Sequence, residues 1–248
     1  VKILILGGTR AARQLAEALL GEHQVISSLA GRTKRATLPP GDVRVGHFGG
    51  VAGLVEYLEG ERVELLINAT HPFADTMSAN AHAAAAKTGT PHLRLTRDSW
   101  AERPDAPGWL WVNDHREAAR RASEQPGAVL LTIGRLNVAE YLPELAGRRV
   151  ICRVVDPPEV ALPDGWRLLR DRGPFTLADE LALLRDEGVG VVVTKDSGGQ
   201  ETAAKLDAAR QLGARVVMIA RPKTAGEEVT SVADALDWVR RAAQNQSR

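Results

Sequence analysis

Cysteine occurs once in the 248 residues, at Cys152, so an internal disulfide framework is excluded, and no Cys/His ligand spacing exists. Cys152 sits in the apolar run Val150 to Val155 and reads as core rather than as a nucleophile. The histidines do not cluster, so no metal site is expected. No apolar stretch has transmembrane length, and no basic-then-apolar leader opens the sequence, which points to a reducing cytoplasm and no membrane partner. A net charge of +1, without a long basic face or an aromatic-interleaved basic tract, argues against a nucleic-acid partner. Aromatics make up only 4 %, while alanine is abundant, a balance that suits helices packed closely on sheets. Nothing in the sequence sets an oligomeric state.

What is present begins with Val1-Lys2-Ile3-Leu4-Ile5-Leu6-Gly7-Gly8-Thr9-Arg10-Ala11-Ala12. An unbroken apolar run ending in a glycine pair reads as a buried parallel strand turning into a helix, with Ala11, Leu15, Ala18 and Leu19 on one stripe. A strand, a glycine turn and a helix N-terminus make a phosphate site, because unpaired N–H groups and the positive end of the dipole face the anion. The dinucleotide fingerprint wants glycine at its first, third and sixth places; here the third is Thr9 and the sixth Ala12. A plain tight strand–helix turn accounts for the same residues.

The next strand, about His23 to Leu29, leads into Ala30-Gly31-Arg32-Thr33-Lys34-Arg35. An NAD site places a carboxylate here for the ribose hydroxyls and an NADP site an arginine for the extra phosphate. From Gln24 to Gly41 there is no carboxylate; Ser27, Ser28, Arg32, Lys34 and Arg35 offer hydroxyls and positive charge. NADP(H) is favoured over NAD(H), against the alternative of a solvated basic loop.

Strand and helix signals alternate from end to end, which implies parallel sheets with helices on both faces. The strand Val63 to Asn68 ends in Ala69-Thr70-His71-Pro72-Phe73-Ala74, on the edge where doubly wound sheets bind ligands. Pro72 is expected to open the following helix, and Thr70 or His71 to face the nicotinamide ring or a substrate, unless His71 only caps that helix. Gln125-Pro126-Gly127 breaks the pattern, and a domain boundary is expected there, giving domains 1–125 and 126–248. The second half has its own strand-end cations, Arg135, Arg153, Arg172, Lys195 and Arg221, and a second glycine pair, Gly198-Gly199, expected to open a helix. Such a set suits a substrate with several carboxylates; pairing with the neighbouring Asp156, Asp171 and Asp196 is the alternative. The fold class expected is α/β, two Rossmann-like doubly wound parallel-sheet domains with a ligand cleft between them.

Taken together and in order, these stretches resemble the precorrin-6A reductase and cobalt-precorrin-6A reductase family of cobalamin biosynthesis. The resemblance spans nearly the whole chain. It rests on Leu6-Gly7-Gly8-Thr9, Gly31-Arg32, Phe48-Gly49-Gly50, Asn68-Ala69-Thr70-His71-Pro72-Phe73-Ala74, Val155-Asp156-Pro157-Pro158, Arg172-Gly173-Pro174-Phe175 and Lys195-Asp196-Ser197-Gly198-Gly199. One departure is Arg10-Ala11, where the family usually carries an acidic residue at the second place.

The resemblance implies hydride transfer from NADPH to a carbon–carbon double bond of a tetrapyrrole, the precorrin substrate, with a proton taken up next to it. Gly7, Gly8, Thr9, Ser28 and Arg32 would then hold the coenzyme, with Thr70 at its contact with the macrocycle. His71, Pro72, Phe73, Arg172, Gly173, Lys195, Ser197 and Gly198 would face the macrocycle, with His71 or Lys195 as proton donor. Two rival readings are a short-chain-type NADP reductase or epimerase and a non-catalytic NADPH-sensing protein. The first usually needs a Tyr and a Lys a few residues apart on one helix, and neither Tyr57 nor Tyr141 has such a lysine.

Overall fold

The computed structural model describes residues 1–31, 38–200 and 202–246. In chain order the elements are β1 (Lys2–Leu6), α1 (Arg10–Leu19), β2 (Gln24–Leu29), β3 (Asp42–Val45), α2 (Gly50–Gly60), β4 (Leu65–Asn68), α3 (Asp75–Thr88) and β5 (His92–Leu95). They continue with β6 (Leu110–Val112), α4 (His115–Ser123), β7 (Ala128–Thr132), α5 (Leu142–Leu145), β8 (Val150–Val154) and β9 (Trp166–Arg170). Last come α6 (Leu177–Asp186), β10 (Val189–Lys195), α7 (Ala204–Leu212), β11 (Arg215–Ile219), β12 (Glu227–Val229) and α8 (Val232–Gln246). Among the described residues no helix is long and apolar enough to cross a membrane.

The strands form two six-stranded parallel sheets, in the orders β12-β5-β4-β1-β2-β3 and β6-β11-β10-β7-β8-β9. Central strands are buried on both faces, which is why β1 from Ile3 and β4 up to Ile67 are apolar throughout. Under the first sheet, Ile3, Ile5, Leu15, Leu65 and Ile67 pack with Ala235, Trp238 and Val239 of α8.

The chain divides into two compact units, residues 1–98 with 222–248, and residues 99–221. This differs from the expected break near residue 125. Pairing decides the matter: β6 finds its partner in β11, with Leu110 beside Val217, and β12 finds its partner in β5, with Glu227 beside Leu93. The second unit is therefore inserted between β5 and β12 of the first.

Candidate functional site

At the end of β1, Gly7 N donates to Ser28 O at 2.9 Å and ties the turn to the end of β2. Gly8 follows at φ +107°, a backbone state that strains any side chain, and a Cβ there would meet nothing within 4 Å. The glycine keeps the turn open to a ligand. Thr9 then caps α1: its Oγ1 accepts from Ala12 N at 3.1 Å and donates to Ala69 O at 2.8 Å. That hydroxyl is committed to joining α1 and the exit of β4, and Thr9 does not line the cavity described next.

A cavity of about 720 Å³ opens at the carboxyl ends of β1 to β4, lined wholly by residues of the first unit. Strand order reverses between β1 and β4, with β2 and β3 to one side and β5 to the other, and ligands of doubly wound sheets bind at such a reversal. Gly7 and Gly8 sit in the middle. Ser28, Gly31 and the loop 45–50 line the β2–β3 side, and Thr70, His71 and Phe73 the β4 side. Six of the sequence-predicted residues thus share one cavity. Arg32, with Lys34 and Arg35, lies outside the described residues.

Arg44, to which the sequence assigned no role, organises the loop after β3. Its Nη1 donates to Gly46 O and its Nη2 to His47 O, both at 2.8 Å, and its guanidinium lies 3.9 Å from the centre of the Phe48 ring. Phe48 O in turn rests on Gly53 of α2, where a Cβ would come within 1.7 Å of it. Only glycine at 53 admits this loop path.

The β4 side is held by a buried polar chain. Asn68 Oδ1 accepts from Thr70 N at 3.2 Å and Thr70 Oγ1 at 2.7 Å, while Asn68 Nδ2 donates to Ser78 Oγ at 3.0 Å. Arg94 of β5 donates from Nη1 to Ser78 Oγ at 3.0 Å and from Nη2 to Pro72 O at 3.2 Å, and pairs with Glu228 of β12 at 3.3 Å. Pro72 is buried beneath the turn and does not line the cavity; nor does it open a helix, since α3 starts only at Asp75. His71 does not cap α3 either. Its Nδ1 accepts from Phe73 N at 3.2 Å, so the proton of the neutral ring is on Nε2.

The second unit carries the other expected residues along the carboxyl edge of its sheet. Lys195 ends β10 and Arg172 lies just past β9, three strand spacings away across β7 and β8, or roughly 14 Å. Arg172 N and Asp171 Oδ1 are 2.8 Å apart, and Gly173 follows, half-buried. Ser197 N donates to Lys195 O at 2.6 Å, and Gly198 and Gly199 adopt φ of +65° and +80°. This glycine pair does not open a helix: α7 begins at Ala204, after an intervening turn.

Pairing with carboxylates, the alternative the sequence offered, takes up part of the set of strand-end cations. Arg153 is buried and bound to Glu180 at 2.7 Å, with its guanidinium 4.0 Å from the Phe175 ring, and Arg221 is bound to Asp196. Beside Lys195, His115 Nδ1 stands 2.9 Å from the buried Tyr141 hydroxyl, and burial, then the Lys195 charge, holds its pKa below the usual histidine value. Burial likewise pushes the Cys152 thiol up to about 11, consistent with a core residue. Neither Tyr57 nor Tyr141 lines the cavity, so the short-chain reading gains no tyrosine.

A glycine turn and capped helix at a strand-order reversal, with a cavity reaching both sides of it, define a Rossmann-type nucleotide-binding protein. Within that class the chain belongs to the family described as Precorrin-6x reductase CbiJ/CobK, which matches residues 2–240. It is 46 % identical over 242 residues to the Precorrin-6A reductase of Rhodococcus erythropolis, covering 96 % of this chain and 97 % of that one. It is 31 % identical over 260 residues to the Cobalt-precorrin-6A reductase of Priestia megaterium, covering 99 % of each. The solved structure of CobK precorrin-6A reductase superposes with a TM-score of 0.84 at 38 % identity, over 98 % of this chain and 97 % of that one.

Proposed function

We propose that this chain reduces one carbon–carbon double bond of precorrin-6A, with hydride from NADPH and a proton from the enzyme, to give precorrin-6B. The observation that carries this reading is the cavity at the β1/β4 reversal, which joins the glycine turn to the Thr70–Phe73 segment. Its size falls in the range of roughly 300–1,000 Å³ common for cofactor sites. The coenzyme supplies the hydride when bound. The open backbone at Gly8 and the N-terminus of α1 suit a pyrophosphate, and Ser28 with Arg32 suits the 2′-phosphate.

The protein's part is to orient two flat ring systems and keep water from between them. Arg172, Lys195, Ser197 and Gly198 hold carboxylate arms of the macrocycle, charge against charge. The proton for the carbon next to the one that takes the hydride comes from His71 as the imidazolium, a form in which Nδ1 is protonated and gives up its contact with Phe73 N, with Lys195 as the other candidate for that role. The higher identity to relatives named for precorrin-6A than to one named for the cobalt form supports a metal-free substrate. The cytoplasm is the proposed compartment.

Anaerobic mixing with NADPH and precorrin-6A tests the reading. Loss of NADPH absorbance with a gain of two hydrogens by the macrocycle is expected; a bound macrocycle that stays unreduced would overturn it. His71→Gln should lower kcat and shift its pH profile, whereas Lys195→Ala should raise the macrocycle's KM and leave NADPH affinity unchanged.

A further inference from the structure

We infer that Thr70 Oγ1, its proton committed to Asn68, offers a ligand only a hydrogen-bond acceptor, and that it selects the coenzyme through the carboxamide N–H of the nicotinamide ring. The inference rests on the coenzyme reading above. It begins with a group that has no choice of role. Thr70 N–H can only donate, so the Asn68 side-chain atom 3.2 Å from it is the carbonyl Oδ1. The amide nitrogen of Asn68 then faces Ser78 Oγ, at 3.0 Å.

Turning the Asn68 amide over would set its nitrogen against the Thr70 N–H and leave two donors facing each other. Arg94 Nη1, a donor under all conditions, also points at Ser78 Oγ from 3.0 Å, so that hydroxyl accepts from both sides. Asn68 and Ser78 are 1 % and 5 % exposed, and Arg94 5 %, which leaves little water to offer other pairings.

The consequence falls on the residue at the cavity wall. Asn68 Oδ1 carries no proton, so Thr70 Oγ1, 2.7 Å away, must give up its own. Thr70 is half-buried and lines the cavity, and what its hydroxyl has left to offer a ligand is lone pairs. A ligand that meets it well brings an N–H or O–H donor.

The strand order says which end of the coenzyme arrives there. With the pyrophosphate on Gly7–Gly8 and the 2′-phosphorylated adenosine on the β2–β3 side, the nicotinamide end lies on the β4 side, where Thr70 stands. Its ring carboxamide carries the N–H donors. Thr70 is therefore a specificity-determining contact, and Asn68, Ser78 and Arg94 are the positioning residues behind it.

The test compares NADP+ with the analogue in which an acetyl group replaces the carboxamide, a methyl standing where the N–H donors were. Calorimetry gives both dissociation constants for the full chain and for Thr70→Val and Thr70→Ser. The unaltered protein should bind NADP+ about two- to tenfold more tightly than the analogue, as expected for one neutral hydrogen bond. Thr70→Val should bring that ratio close to one by weakening NADP+, and Thr70→Ser, which keeps the hydroxyl, should preserve it. Equal affinity in the unaltered protein, or an unchanged ratio in Thr70→Val, overturns the assignment while leaving the coenzyme reading intact. Failure of the unaltered protein to bind NADP+ at all overturns both.

Discussion

Arg221 lays its guanidinium along the carboxylate of Asp196, Nε to Oδ2 at 2.9 Å and Nη2 to Oδ1 at 3.2 Å. The same carboxylate accepts from Ser99 Oγ at 2.6 Å and from Trp100 N at 2.9 Å. Ser99 and Arg221 are the first and last residues of the second unit, so one buried side chain at the end of β10 fastens both its ends. Ser197, Gly198 and Gly199 follow directly, and Trp100 Nε1 donates to Gly199 O at 3.1 Å.

Removing that carboxylate leaves a mostly buried arginine without this partner and several donors unsatisfied. Asp196→Ala is expected to destabilise the protein by about 3–5 kcal/mol in urea unfolding. Asp196→Asn, which keeps one acceptor oxygen, should lose less. A loss under about 1 kcal/mol for Asp196→Ala, the value of an exposed pair, would show that the clasp adds nothing.

Thr9 separates a structural role from a binding one. Thr9→Ala removes the α1 cap and leaves Ala69 O without its side-chain donor, which should cost about 1–2 kcal/mol of stability. NADPH affinity should change little, because the hydroxyl does not line the cavity. Thermal unfolding and coenzyme titration on the same variant separate the two effects, and a large fall in affinity with unchanged stability would reverse the assignment.

Lys205 of α7 is buried, its Nζ 2.5 Å from Thr202 O and 4.8 Å from the centre of the Trp100 ring. Burial first, and then the nearby Arg153 charge, lower its pKa from 10.5 to about 7. Between those two values the unfolded chain holds more protons than the folded one, so the Lys205 contribution to stability rises with pH from about 7 to 10.5. Lys205→Met should flatten this slope, with its largest relative gain below pH 7. Urea midpoints across the window check it; an unaltered slope in the variant would place the titration elsewhere.

Arg32 carries the proposed preference for the phosphorylated coenzyme. Arg32→Ala should weaken NADPH by about 1.5–3 kcal/mol, the value of a charged hydrogen bond, and NADH much less. Parallel titrations decide it, since equal losses for both coenzymes would move the 2′-phosphate away from Arg32.

Much of the first unit was legible in the sequence because its signals are local. A strand buried on both faces has to be apolar throughout, and the turn after it needs glycine, so β1 with Gly7–Gly8 and the edge at Thr70 to Phe73 stand out in a single reading. Trp109 to Val112 reads as an edge strand, but its partner β11 lies far off in sequence and was not legible. Nor was β12, which is three residues long, reads Glu-Glu-Val and becomes a strand only when the parallel edge of β5 is offered to it. Arg44 was hidden for a related reason. An arginine in a strand with alternating polarity looks solvated until the loop folds back and presents two carbonyls to it. Arg94 offered a better clue, a charge between Leu93 and Leu95 in a buried strand, as did Asn68 at the end of an apolar run.

The insertion of one unit inside the other also sets an order of events during synthesis. Residues 99–221 leave the ribosome as a continuous piece and have every strand of their own sheet at hand. The first sheet, although its glycine turn is made first, keeps β5 as a bare edge until Glu227–Val229 emerges, and α8 can cover α1 only after that. The half with the glycine turn is thus begun first and closed last, and a chain cut short near its end would lose the half that holds the cavity.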